Sequence, residues 1–197
     1  ITSHACLWVD LPANSGAMKR LPNGSRQREC EAVYIVGKLS EYLARSDCEE
    51  LNFGVITFYS GQRELIKTKF NNLGLGKDIT NRVRIGTVDE FQGMEFDVIF
   101  LSVVRSGGKF DSDDLDKLKE ETAEHEKITK AITAKYYGFL NDNRLCVALS
   151  RQKKLLIVVG DCSMFSGRVA TPFAKRCVPA MYNLYALCEE EGSIIDG

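Results

Sequence analysis

No apolar run in the sequence is long enough to cross a bilayer. The most apolar stretch, residues 155–160, is six residues long, against the roughly 20 that a spanning helix needs. No basic-then-apolar leader opens the chain, so nothing in it points to export. Paired cysteines are also missing. The seven Cys stand singly, an odd number without C-x-x-C spacing, which speaks against a disulfide framework and against a zinc site. Single thiols behave as small apolar residues in a reducing compartment, so the cytoplasm is the expected location. Net charge is nearly absent, at -1. The chain as a whole therefore does not attract polyanions, and any nucleic-acid contact must be a local patch. Two glycine fingerprints are missing as well. Without a G-x-x-x-x-G-K-[ST] stretch there is no phosphate-cradling loop, and without G-x-G-x-x-G after a strand a dinucleotide-dependent oxidoreductase is disfavoured. No internal repeat is present.

What is there fits one generous domain, or a domain with a large insertion: 197 residues, 44% of them hydrophobic, can bury a core. The chain begins at Ile1 rather than Met, which reads as a piece of a longer polypeptide. Apolar stretches of strand length lead into segments with helical spacing. Residues 6–11 form the first strand, and a helix over about 27–46 buries Ala32, Ile35, Val36, Leu39 and Leu43 on one face. A second strand at 53–58 leads into a helix over 60–70, with Ser60 as its N-cap. Strands follow at 83–88, 97–104 and 155–159, with helices at about 143–152 and 173–190. The strands at 97–104 and 155–159 are apolar on both faces, the pattern of a parallel sheet covered by helices on both sides.

Residues 107–137 break this rhythm. They are rich in Asp, Glu and Lys, with Ile128, Ile132 and Tyr136 four apart. They read as an inserted, mostly helical excursion with one narrow apolar stripe and solvated charged faces. Because it adds no strand, its removal is expected to leave the fold intact.

Three stretches carry chemistry-bearing residues, each expected at the carboxyl end of a strand, where ligand sites of open parallel sheets lie. They are Thr57-Phe58-Tyr59-Ser60-Gly61-Gln62-Arg63, the run from Gly86 to Glu95, and Val147-Ala148-Leu149-Ser150-Arg151. Arg63 in a first helical turn opposes the helix dipole, which makes sense if its guanidinium reaches out to an anion, although a surface ion pair would also account for it. Asp89, Glu90, Glu95 and Asp97 crowd a Gly turn, yet their spacing fits no EF-hand, and no metal site is expected.

In order and wording these stretches resemble the last motifs of superfamily 1 helicases, in the branch of the nonsense-mediated-decay helicase and its DNA- and RNA-acting relatives. Ser25-Arg26-Gln27-Arg28-Glu29-Cys30-Glu31-Ala32 resembles the block that opens the second motor domain. Residues 54–63 resemble motif IV, residues 87–97 motif V, and Phe139-Leu140-Asn141-Asp142 through Arg151 motif VI with its lead-in. The resemblance implies a RecA-like three-layer α/β domain with a mainly parallel sheet, helices on both faces and an inserted charged helical segment.

It implies roles as well. Arg63 would reach the γ-phosphate of ATP, and Arg151 would be the arginine finger. Gln92, Gly93 and Glu95 would form the nucleotide-binding turn, with Glu95 on the ribose. Thr57, Phe58 and Thr87 would face single-stranded DNA or RNA, with movement from 5′ to 3′. The Walker loop and the Mg²⁺ ligands would belong to a first RecA-like domain upstream, so this piece is not expected to hydrolyse ATP alone. Arg28 and Cys146 stand where the family usually has Asn, Phe58 where it has Pro, and Gln152 where it has Ala. The competing reading is a nucleic-acid-binding or scaffold module that kept the fold and lost motor activity.

Overall fold

A computed structural model describes residues 2–120 and 122–197; Ile1 and Glu121, the latter inside the expected insertion, lie outside the described residues, as does the side chain of Asp142. In chain order the elements are β1 (Cys6–Asp10), β2 (Lys19–Arg20), β3 (Arg26–Gln27), α1 (Glu29–Leu43), β4 (Phe53–Thr57), α2 (Ser60–Asn71), α3 (Lys77–Thr80) and β5 (Val83–Thr87). Then come β6 (Phe96–Ser102), α4 (Ser112–Lys117), α5 (His125–Tyr136), α6 (Asp142–Ala148), β7 (Gln152–Gly160), α7 (Gly167–Cys177), α8 (Pro179–Glu190) and β8 (Ile194–Asp196).

Among the described residues six strands form one sheet in the order β5-β4-β6-β7-β1-β8, every pairing parallel. One face packs on α1 and α2, where Ile35, Leu39 and Ile66 meet Val55, Phe100 and Ile157. The other packs on the helices that follow β6, where Leu145, Phe173 and Met181 meet Trp8, Ile99 and Val158. This is the three-layer α/β arrangement expected from the doubly apolar strands. Trp8 is fully buried, with Phe165 and Tyr185 edge-on at 5.2 and 5.6 Å.

Several boundaries differ from expectation for local reasons. The helix expected over 173–190 is two helices, because Pro179 has no N–H to donate and holds Val178 out of helical geometry (φ -143°). A final strand, β8, joins the sheet edge beside β1; three residues are too few for a periodic signal. Tyr59, not Ser60, is the N-cap of α2. The amide of Gly61 donates instead to the Ser25 hydroxyl at 2.9 Å. Cys6 and Cys188, far apart in sequence, bring their buried sulfurs within 3.4 Å of each other.

The insertion adds no strand among the described residues, as expected, and its apolar stripe is built into the main core. Ile132, Tyr136 and Tyr137 are buried in the main core, and Phe110 packs 4.9 Å from Phe173. Arg105 donates to the carbonyls of Lys135 and Tyr136, closing the carboxyl end of α5.

Candidate functional site

Residues 25–32 and 57–63 are joined to the end of β6 by one buried polar network. Gln62 accepts from the Arg28 amide at 2.8 Å and donates to the Arg28 carbonyl at 3.1 Å and to Ser102 Oγ at 3.0 Å. Ser102 donates to Glu31 at 2.6 Å, and the Val104 amide donates to the same carboxylate at 3.0 Å. Val104 holds a positive φ of 69°, a strained conformation for a branched residue. Arg28 and Glu31 are fully buried. Arg28 pairs with Glu31 at 3.2 Å and donates to the carbonyls of Leu11, Pro12 and Gly16. Burial pushes the Glu31 carboxyl up to about 7, while Arg28, Ser102 and Val104 hold it from rising further. The Arg that replaces the family's usual Asn thus points inward and joins the first loop to α1. Sequence reasoning noted the replacement but had no signal for its burial.

After β5 the chain makes a short 3-10 turn, Val88–Phe91, and crosses back over the sheet before β6 begins. Phe91 is the anchor of this crossing, fully buried against Phe96 at 5.4 Å. Its ring occupies the space a side chain at Gly54 would need: a Cβ there would lie 2.9 Å from Phe91 and 2.4 Å from Ile99. Glycine inside a strand often marks such a close approach. Thr87 and Glu90 form a reciprocal capping box over the turn.

Glu90 also accepts from Arg63 at 2.7 Å. Its partial burial would raise its carboxyl, but the Thr87 amide, the Arg63 guanidinium and the Thr87 hydroxyl outweigh that and bring it down to about 2. The anion that Arg63 was expected to seek is thus, in this state, Glu90, with Glu64 as a second partner at 2.7 Å.

Gln92, Gly93 and Glu95 form the far end of the crossing and are exposed. Gly93 takes φ +77° with open space where a Cβ would be, so the turn demands glycine and leaves room for another molecule. Arg151 lies beside it, donating to the Met94 carbonyl at 3.3 Å, the Val147 carbonyl at 3.1 Å and Ser150 Oγ at 2.8 Å. Glu95 stands 3.8 Å from Lys153.

The expected common edge needs correcting here. Thr57 pairs with Thr87 at the carboxyl ends of β4 and β5, whereas Phe96 pairs with Gln152 at the amino ends of β6 and β7. Glu95 and Arg151 therefore sit at the opposite end of the strands from Thr57 and Thr87. No contact joins Arg63, Arg151 and Glu95 to one another among the described residues. All three instead meet the crossing 87–95: Arg63 at Glu90, Arg151 at Met94, and Glu95 as its last residue.

Of the expected strand-facing residues, Thr87 is half-buried and Thr57 fully buried, its hydroxyl without a hydrogen-bond partner. Phe58 is only 4% exposed and packs in the core, so its ring is not on the surface. The exposed aromatic near this edge is Phe139, 50% exposed. Its ring lies 5.5 Å from Tyr59 and carries the Arg144 guanidinium at 5.2 Å. Arg144 in turn bonds Asp89 at 3.1 Å. Sequence reasoning missed Phe139 and Arg144 as site residues, although both lie in the quoted motif VI block.

A family model described as an AAA domain matches residues 2–163. An ATP-dependent helicase, upf1, from Schizosaccharomyces pombe is 32% identical over 162 residues, 81% of this chain. The chain belongs to the superfamily 1 helicases. The mouse RNA helicase Mov10l1 is 36% identical over 66% of the chain, and a yeast DNA polymerase alpha-associated DNA helicase is 35% identical over 70%. This helicase domain covers only 14%, 9% and 16% of the respective lengths of these relatives. No helix of the helicase domain among the described residues is long and apolar enough to cross a membrane.

Proposed function

We propose that this chain is the second motor half of an ATP-dependent helicase or translocase, supplying arginine, ribose and strand contacts to a site completed by another domain. The observation that carries this reading is the crossing 87–95. One end of it holds Thr87, beside Thr57 at the carboxyl edge; the other holds Gln92, Gly93 and Glu95. Arg63 and Arg151 are each tied to it, at Glu90 and at Met94. A segment anchored mid-way by buried Phe91 can transmit a shift at its nucleotide end to its strand end.

Phosphoryl transfer needs positioned cations more than covalent chemistry, and a planar guanidinium grips two phosphate oxygens at once. Arg63 would exchange Glu90 and Glu64 for the γ-phosphate of ATP as the two motor halves close. Arg151 would turn from the Met94 carbonyl to the same group. Exposed Glu95 would accept from the ribose hydroxyls, and Gln92 and Gly93 would line the turn. Among the described residues no group of three His, Cys, Asp or Glu side chains is arranged to hold a metal ion. Mg²⁺, which would supply charge neutralisation to the phosphates, would be held by the first RecA-like domain together with the Walker loop. The track is a single strand, and the relatives' names include both an RNA helicase and a DNA helicase.

The test is ATP turnover in the complete protein. An arginine finger contributes about 10³ to 10⁵ in rate, so Arg151→Ala is expected to lower kcat by at least about 10³. Arg63→Ala should do the same within roughly tenfold, as a second guanidinium on the same phosphate. Near wild-type turnover in both variants would end the motor reading.

A further inference from the structure

Between α5, the loop that leads into α6 and the start of α8 runs an open groove of about 730 Å³. Its walls present Phe139, Thr129, Lys130, Asn141, Asn143 and Arg176. One wall is thus the insertion helix α5, which the helicase reading leaves without a role. Phe139 is the exposed aromatic of this wall, half of its surface open to solvent. Tyr59 packs against its ring at 5.5 Å, and the Arg144 guanidinium lies over it at 5.2 Å.

Two features connect the groove to the carboxyl edge of the sheet. Tyr59 follows Thr57, the last residue of β4, by two positions, and it carries Phe139. Asp89 follows Thr87, the last residue of β5, by two positions, and holds Arg144 over the Phe139 ring. Through Phe139 the groove is thus linked, by Tyr59 and by the Arg144–Asp89 pair, to the segments that follow both residues proposed to meet the strand.

Its chemistry is selective. A half-exposed aromatic among side-chain amides and basic groups, with the Glu126 carboxylate also in the lining, suits a nucleotide, since every base has a face that stacks and every linkage carries a negative phosphate. Lys130 pairs with Glu126 at 2.6 Å, but both side chains are largely solvated, and a phosphate can compete with so exposed a pair. The Thr129 hydroxyl is buried and has no hydrogen-bond partner among the described residues. His125, also on this wall, is turned to the Glu120 carbonyl through Nδ1 at 2.9 Å.

We infer that this groove holds one nucleotide of the single strand, its base taking the face of Phe139 that the Arg144 guanidinium now covers and its phosphate between Lys130 and Arg176. The inference rests on the strand-binding reading above and extends it to the insertion. Asn143, and the NH2 group of Asn141 whose oxygen accepts from the Arg144 amide at 3.2 Å, offer polar groups to base edges, so the site tolerates any base.

The experiment is equilibrium binding of the full-length protein to labelled 15-mers of U and of dT. The proteins compared are wild type, Phe139→Ala, Phe139→Trp and the double variant Lys130→Ala/Arg176→Ala. Removing one stacked base corresponds to roughly 5- to 150-fold, so Phe139→Ala should weaken whichever strand the wild type binds by that factor. Phe139→Trp should restore binding, and its added indole should be quenched on strand binding. This chain's own Trp8 is fully buried and contributes no such change. The double variant should flatten the salt dependence by about 0.7 in log–log slope for each phosphate no longer neutralised. Wild-type binding that survives in Phe139→Ala, with no quenching in Phe139→Trp, overturns the inference alone and leaves the groove to a protein segment. A wild type that binds neither strand removes the underlying reading as well.

Discussion

Glu90 shows how much a single carboxylate can be asked to hold. It caps the turn after β5 through Thr87 and fastens Arg63 of α2 to that turn. Its carboxyl lies at about 2 against an ordinary 4.5, so its contribution to stability is complete above about pH 4.5 and is lost as the pH falls towards 2. With its side chain a third exposed, solvent screening leaves that contribution at about 1 kcal/mol. Glu90→Gln is therefore expected to destabilise the domain by about that amount at pH 7 and progressively less towards pH 3. Denaturant unfolding at several pH values reads the difference directly, and a gap that stays constant down to pH 3 rules the assignment out. Arg63 and Arg151 were legible as candidates because residue type and motif order identify them without coordinates. Their present partners were not legible, since an ion pair between residues 27 apart, Arg63 and Glu90, leaves no local pattern. Phe58 was misread for a related reason. A strand-end aromatic looks the same in sequence whether it faces the core or the solvent.

Among the elements, the acidic insertion is where composition misled most. Its Asp, Glu and Lys residues do pair on the surface, as Lys130 with Glu126 and Lys119 with Asp116. Asp114, however, is pulled down to about 2, chiefly by Lys135, and also accepts from the Tyr136 hydroxyl, which ties α4 to α5. Beneath these charges Phe110, Tyr136 and Tyr137 form an aromatic cluster with Phe165 and Phe173. Each buried aromatic removed costs about 3–5 kcal/mol, and a domain holds only about 5–15 kcal/mol in total. Deleting residues 107–137 should therefore abolish cooperative unfolding, against the expectation drawn from its lack of a strand. A deletion variant that melts in one sharp transition near the wild-type temperature would refute this. The stripe Ile128, Ile132 and Tyr136 was visible in the spacing. Its significance was not, because a narrow stripe does not say which surface it will meet.

At the scale of the molecule, the proposed motor role makes ATP turnover depend on a partner lobe. On that reading the chain's motifs, strung along the crossing 87–95, would reach ATP only from one side. The isolated chain is accordingly expected to release no phosphate from ATP above a buffer blank, even with single strands present. Measurable turnover by the chain alone would show that the phosphate-cradling groups are not confined to another domain. The α/β class was legible from β6 and β7, whose doubly apolar runs have no other stable placement than between two helical layers. Family membership was legible from four ordered blocks. The sequence alone thus determined the layers, the kinship and which residues are candidates for phosphate and strand contacts. Only the tertiary structure decided which ends of the strands those residues occupy, that Phe58 is buried while Phe139 is exposed, and that the insertion belongs to the core. The physical reason is range. Periodicity and propensity act over a few residues, whereas register and burial come from pairings between segments far apart in the chain, such as β1 with β7, and exist only once the chain has closed on itself.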